Sequence, residues 1–383
     1  MHSLAPNRFH SLFALVLAAL VASSAAAQTA TPTPAAATAA AAPATTTSST
    51  PARAFPDGLW VVSDENDTYF GTDRDLTNVL RLAYSSPNYA TWDGVPAIPK
   101  FAGSLFDDIN FLHDASSSVS SSIYAQQNMY TPSNISRVPP NPNDRPWAGW
   151  VGLGIDAVRQ TAMRRAVLEL NLGWVGPESG AEALQTSWHD TINVTHPRGW
   201  GYQLKNEPVL QLTYRQDWRL PAPLSNVETP NHGPIDYDVT VHALATAGNG
   251  WDYIQGGIMT RVGFNLPRDF GPARPRLGSV DTQSYLAPGA AAPTFGWDLS
   301  SLSAYVCLGV DDRAVARDIT LDGNTFARSP SVNKEPVVAE AYSGLVLQWG
   351  NLYSSFIAVY ETKTFQSQVA PQWRGILSLG CRF

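Results

Sequence analysis

The chain has 383 residues, 25 Lys+Arg against 32 Asp+Glu, and a formal net charge of -7. That acidic balance excludes a nucleic-acid binder, which needs a basic patch. Two cysteines exclude both a disulfide scaffold and a four-cysteine metal site. Charged residues make up 15% and apolar ones 44%, against about 25% charged in ordinary soluble domains. Part of the surface is therefore expected to face something other than water.

In chain order, residues 1–27 read as a signal peptide. Arg8 supplies the positive start, Ser11 to Ala26 the apolar stretch, and Ala25-Ala26-Ala27 before Gln28 a small-residue cleavage site. Residues 28–54 are almost wholly Ala, Thr, Pro and Ser. Such a composition cannot bury enough apolar surface to offset the entropy of ordering, so a disordered leader is expected there. Residues 55–383 are expected to form one domain, and none of their stretches is long and apolar enough for a membrane-spanning helix.

From Phe55 onward the apolar residues recur with period two. Leu80, Leu82 and Tyr84 alternate with Arg81, Ala83 and Ser85. Leu168, Leu170 and Leu172 alternate with Glu169, Asn171 and Gly173, and Leu210, Leu212 and Tyr214 with Gln211, Thr213 and Arg215. Successive side chains on a strand point to opposite faces, so each segment has one apolar and one polar face. Turn-rich stretches such as Pro139–Asp144 and Gly248-Asn249-Gly250 separate them. One segment departs from this pattern. Ser179 and Glu182 have capping-box spacing, and Leu184, Trp188 and Ile192 recur every four residues, which predicts a short helix over 180–192 carrying His189.

Alternation fits a soluble sandwich or a membrane barrel. The chain's end favours the barrel: Trp373, Gly375, Leu377, Leu379, Cys381 and Phe383 share one face, with Arg374, Ser378 and Arg382 on the other. The expected fold is all-β, an antiparallel transmembrane β-barrel of the bacterial outer membrane. Its outer band is apolar, its interior polar, and Trp174, Tyr214, Trp218, Tyr342, Trp349 and Tyr353 supply aromatic girdles. At roughly 10 residues per spanning strand, the domain accommodates about 10 to 14 strands. Cys307 and Cys381 fall on opposite faces, so no disulfide between them is expected.

Common soluble-enzyme motifs are missing: no G-x-S-x-G, P-loop, H-E-x-x-H or dinucleotide fingerprint occurs. Three polar clusters remain. Asp64-Glu65-Asn66-Asp67 with Thr72-Asp73-Arg74-Asp75-Leu76-Thr77-Asn78 is dense in the oxygen donors a hard cation takes, or is simply a solvated acidic turn. His189, read as an exposed loop residue, is either a general base or a structural histidine. Asn143–Trp150 reads as a turn entering a strand.

Together these clusters resemble the outer-membrane lipid A 3'-O-deacylases, the LpxR family. The shared elements are Glu65-Asn66-Asp67, Thr72–Asn78, Asp144-Arg145-Pro146-Trp147-Ala148-Gly149-Trp150, and His189 before Gly199–Leu204. Gly248-Asn249, Arg261–Pro267 and Phe270-Gly271-Pro272 follow in the same order. The resemblance implies a barrel of 12 strands with its site at the outer face, between the wall and a loop helix. It implies Ca²⁺-dependent hydrolysis of the 3'-acyloxyacyl ester of lipid A in lipopolysaccharide. It assigns catalytic roles to Asn66, Asp67, Thr77 and His189, with Asp67 also holding Ca²⁺. In the loop where some members place a Lys near the substrate, this chain has Arg137, which suits a phosphate but is not interchangeable with Lys. A monomer in the outer membrane is expected. Thr195 stands where some members carry a Glu, which removes one orienting carboxylate that Asp190 or Glu207 would have to replace. The alternatives are an inactive or pore-like barrel, a serine-dependent phospholipid hydrolase of the outer membrane, and a soluble periplasmic sandwich.

Overall fold

The period-two alternation builds the wall of a closed cylinder in the computed structural model, which describes residues 58–95, 97–109, 117–227, 235–276, 279–280 and 302–382. The signal peptide and the whole of the leader expected from the sequence lie outside the described residues. The wall has 12 antiparallel strands in a single circuit. They are β1 (Leu59–Asn66), β2 (Asp75–Ser85), β3 (Ser118–Thr131), β4 (Ala148–Gln160), β5 (Arg164–Val175) and β6 (Glu207–Arg219), continuing with β7 (Ile235–Gly248), β8 (Trp251–Phe264), β9 (Leu302–Asp318), β10 (Val337–Trp349), β11 (Leu352–Glu361) and β12 (Gln372–Arg382). The first strand pairs with the last, from Leu59 opposite Arg382 to Asn66 opposite Gly375, and this seam leaves no open edge. Among the described residues two longer helices accompany the wall, α1 (Lys100–Ile109) and α2 (Ala181–Ile192). No described helix is long and apolar enough to cross a membrane.

Each strand separates its side chains as its alternation requires. Leu80, Leu82, Leu170, Leu172, Leu210, Leu212, Ile254, Val306, Leu308 and Leu345 point outward and are exposed. Arg81, Glu169, Asn171, Arg215, Arg261, Arg313 and Arg374 point inward and are buried. An apolar band outside and a polar interior is the pattern of a barrel whose solvent is lipid. The girdle expectation holds for Trp349, exposed on the outer face, but Tyr342 and Tyr353 point inward and are buried. Both sit on the inward parity of their strands and pack with lumen side chains. Cys307 and Cys381 are both free, on opposite sides of the wall.

Charges taken from water are paired inside. Arg374 Nη2 reaches Glu340 at 2.7 Å and Nη1 reaches Glu361 at 2.9 Å, and the same guanidinium bonds Glu65. Arg313 adds Glu340 at 2.8 Å. The segment after β8 also folds into the lumen: the Phe270 ring lies under Arg165 and Arg219, and Arg274 reaches Asp311 at 2.6 Å. Between Tyr130, Arg145, Arg313 and Arg374 a void of about 30 Å³ remains, room for a water or two. Among the described residues the lumen is packed rather than open. In planar bilayers the protein is accordingly expected to show no steady ion conductance, and porin-sized steps would show that the interior opens.

Candidate active site

The segment between β1 and β2 is built for a tight reversal. Asn66 caps a 3-10 turn over Asp67–Phe70, its Oδ1 accepting from the Thr68 N–H at 2.8 Å. Gly71 closes the turn at φ +79°, a backbone region that glycine enters without steric cost. Asp75 then enters β2 at φ +62°, a left-handed conformation that Asp tolerates better than most residues. Asp67 is fully buried by this fold. Its Oδ2 accepts from Thr72 Oγ1 at 2.7 Å and from the Arg74 N–H at 2.8 Å. Its Oδ1 is equally buried and has no hydrogen-bond partner. Burial pushes the Asp67 carboxyl up to about 7 against the two hydrogen bonds, and nearby Asp73 and Asp75 raise it further.

Thr77 owes its position to an irregularity in pairing. The register between β2 and β3 shifts between Leu76 and Asn78, so Thr77 is the extra residue of a β-bulge. Leu76 and Val79 both enter the interior cluster, which turns Thr77 and Asn78 together toward the outer face. Thr77 Oγ1 there meets Thr131 Oγ1 at 2.6 Å, and Asn78 Nδ2 donates to Asp64 at 2.6 Å.

Helix α2 lies against the outside of the same wall. Gly149 on β4 allows this, because a Cβ there would stand 2.1 Å from Ser179 Oγ and 2.5 Å from Ala181 Cβ. Met129, Ile135, Trp147, Ala181 and Trp200 form the contact. The helix spans the expected residues with a different start and a different buried face. Gly180 caps it in the left-handed region without a side-chain bond, while Ser179 sits in a preceding turn, so the Ser179–Glu182 box does not form. Ala181, Gln185 and His189 face the wall, whereas Leu184 is exposed. His189 lies on the helix as expected but is buried rather than exposed, because every fourth residue from Ala181 follows the small contact at Gly149.

The His189 ring is held at both nitrogens. Nδ1 lies 2.6 Å from the Thr195 carbonyl oxygen, and Nε2 lies 3.6 Å from Asp73 Oδ2. A carbonyl only accepts, so Nδ1 carries a proton, and Nε2 is turned toward the Asp73 carboxyl. Gln185 joins the set, receiving from Trp200 Nε1 at 2.8 Å and donating to Asp73 Oδ1 at 3.4 Å. Burial pushes the Asp73 carboxyl up, and His189 pulls it back down. Asp73 and Gln185 were not among the site residues expected from the sequence. The four expected catalytic residues and these two gather on one outer rim of the barrel.

The sequence profile described as outer membrane protein LpxR matches residues 13–383. The chain belongs to the LpxR family. It is an outer-membrane protein, as its fold and family both require. Among solved structures, LpxR from Salmonella typhimurium shares the fold at a TM-score of 0.64 and 18% identity, over 85% of this chain and 100% of that one. The β domain of the Bordetella autotransporter Brka matches with a TM-score of 0.38 and 8% identity, over 85% of this chain and 98% of that one. No curated protein matches the chain by sequence.

At the positions where departures from the LpxR-family pattern are expected from the sequence, the structure gives the local arrangement. At position 195 it is the main-chain carbonyl that holds His189. Neither Asp190 nor Glu207 takes that place: Asp190 pairs with His196 at 3.1 Å, and Glu207 binds the N–H groups of Thr325 and Phe326. Arg137 is exposed on the loop after β3, and that loop packs on α2 through Ile135. On the other side of Asp67, a groove of about 240 Å³ runs along the outer wall between Phe70, Thr72, Arg74, Pro371 and Trp373. Phe70 and Trp373 are exposed there, their ring centroids 5.5 Å apart.

Proposed function

We propose that this LpxR-family barrel is a lipid A 3'-O-deacylase, hydrolysing the 3'-acyloxyacyl ester with His189 as general base. The observation that carries the reading is the fixed imidazole. With Nδ1–H donating to Thr195 O, Nε2 is the basic nitrogen, beside a carboxylate and on the lipid-facing side of the wall. Nε2 takes a proton from water as the water oxygen attacks the ester carbonyl. The imidazolium so formed is stabilised by Asp73 and then protonates the departing sugar oxygen, giving a free hydroxyl and a fatty acid. The Asn66 amide and the Thr77 hydroxyl supply donors for the carbonyl oxygen as it becomes negative, each worth about 3–4 kcal/mol in comparable sites.

Ca²⁺ belongs to the same reading. Among the described residues no three His, Cys, Asp or Glu side chains cluster as a metal cage. A hard cation nevertheless takes carbonyl, amide and water oxygens beside a single carboxylate. The buried, unpartnered Asp67 Oδ1 is the donor such an ion would engage. When bound, Ca²⁺ would polarise the ester carbonyl. Arg137 on the neighbouring loop suits a lipid A phosphate, and the groove beside Phe70 and Trp373 suits an acyl chain.

The test is mass spectrometry of lipid A from cells with and without the protein, in Ca²⁺ and in chelator. Loss of the 3'-acyloxyacyl mass that chelator abolishes is the expected result. An unchanged profile with inserted protein would overturn it. Because the bond that fixes His189 comes from the main chain, Thr195→Ala is expected to keep deacylation within about threefold of the parent, under 1 kcal/mol. A hundredfold loss would mean that the Thr195 side chain acts in the site.

A further inference from the structure

Helix α1 and the segment before it occupy an unusual place for a loop between two strands. They lie on the outside of the barrel, near the end where β1 begins and β12 finishes. The evidence is in strand parity. On β3, Val119 shares the outward face of Ile123, which is 44% exposed, yet Val119 is fully buried. On β4, Ala157 shares the face of Leu153, and on β5, Ala166 shares the face of Leu170 and Leu172. Both alanines are buried where those leucines are exposed. What covers them is one cluster containing Trp92, Val95 and Phe106, with Leu168 and Tyr214 of the wall at its margin.

A polar clasp fixes the helix to that wall. Arg159 lies on the outward face of β4, where an uncovered guanidinium would stand against the apolar band without a partner. Its Nε donates to Asp107 of α1 at 2.8 Å, and its Nη1 donates to Ser117 at 2.6 Å. The Trp92 indole N–H donates to the same Asp107 oxygen at 3.0 Å. The helix is therefore held by a satisfied charge pair as well as by its buried Phe106.

The opposite side of α1 remains open and is divided in two. Phe101 and Leu105, one turn apart, are 77% and 60% exposed. Lys100, Ser104 and Asp108 are exposed on the adjoining strip, with Lys100 pairing with Asp93 at 3.0 Å. An apolar strip bordered by a polar strip is the pattern of a helix lying in a membrane interface. The apolar strip continues the lipid-facing band of β3 to β6, already the protein's interface with the bilayer.

We infer that α1 is an interfacial anchor, its Phe101–Leu105 strip inserted among the acyl chains of the phospholipid leaflet at the end of the barrel where β1 begins and β12 finishes. The Lys100–Ser104–Asp108 strip faces water and headgroups. The anchor fixes the depth and tilt of the barrel, and hence the height of the opposite rim, where the active site lies. It stands whether or not the chain is a deacylase, because it rests on the membrane location alone.

The test uses the full-length protein in phosphatidylcholine nanodiscs, which leave both faces open to solutes. Cys307 and Cys381 are replaced by Ser, and a bimane fluorophore is placed by Phe101→Cys or, separately, by Ser104→Cys. Lipids brominated on their acyl chains are expected to remove most of the emission at position 101 and little at 104. Aqueous iodide is expected to do the reverse. Equal iodide quenching at both positions, with no bromolipid effect at 101, would overturn the anchor. So would a position 101 shielded from both quenchers, the signature of a second copy of the chain packing on this strip. Both labels sit on exposed positions, and heat-dependent gel mobility checks that each barrel is closed.

Discussion

His189→Ala is expected to lower the rate of lipid A deacylation by about 10²–10⁴-fold while leaving the barrel folded and inserted, the range for loss of a positioned general base. The two halves of that result come from separate parts of the molecule. The wall is a complete circuit of 12 strands closed by the β1–β12 seam, and no bond of that circuit involves α2. Helix α2 is held by Ala181, Trp147 and Trp200, so truncating His189 leaves its contact with the wall in place. What is lost is an imidazole whose Nδ1 is fixed by a carbonyl and whose Nε2 is turned toward a carboxylate. Asp73→Asn is the informative companion. It keeps the shape beside Nε2 and removes the charge that stabilises the imidazolium, so the rate falls less than with His189→Ala, and the pH profile of turnover shifts with it. Equal turnover by parent and His189→Ala, measured on lipid A by mass spectrometry, would remove His189 from the mechanism.

The barrel was legible because its physics is periodic. A wall with lipid on one side and a packed polar lumen on the other imposes period-two alternation on every strand, and segments such as Leu168–Leu172 show it without ambiguity. What alternation does not encode is which apolar residues leave the lipid face. Tyr342 and Tyr353 read as girdle residues but sit on the inward parity of their strands. Ala166 and Val119 lie on the outward face and are buried by the Trp92–Phe106 segment, which lies 60 or more residues before Ala166 and in the loop leading into the strand of Val119. The helix shows the same limit. Its span was visible in Leu184, Trp188 and Ile192, but the face that docks is set by the small contact at Gly149 and is the one carrying Gln185 and His189. Asp73 lay within a motif shared with the family, yet its pairing with His189 joins residues 116 positions apart, and only the folded loop brings them together. Thr77 could be named from the motif, whereas the bulge that turns it outward is a matter of register. The orienting partner at Thr195 left no trace in side-chain identity, because the atom that acts is a main-chain oxygen.

Asp67→Asn is expected to abolish Ca²⁺-dependent turnover without lowering the melting temperature of the cation-free protein in detergent. The argument starts from an imbalance. One Asp67 oxygen receives two hydrogen bonds and the other, equally buried, receives none. Burying a charged oxygen without a partner costs free energy, and here burial pushes the carboxyl up to about 7. A carboxyl raised above its unfolded value holds its proton more tightly in the folded chain. Its charged form therefore works against folding, increasingly so as pH rises from about 4 to 7. Asparagine keeps an acceptor for Thr72 and Arg74 and exchanges a buried charge for a neutral amide, which offsets the unpartnered Nδ2 it places where Oδ1 stood. Ca²⁺ reverses the comparison, since a ligand that binds only the folded state raises its stability by mass action. Titrating Ca²⁺ into chelator-treated protein should raise the melting temperature of the parent and leave Asp67→Asn unmoved. If the variant melts well below the parent in chelator, the carboxylate is a structural acceptor and not a cation ligand. If both respond to Ca²⁺ alike, the ion binds elsewhere in the barrel.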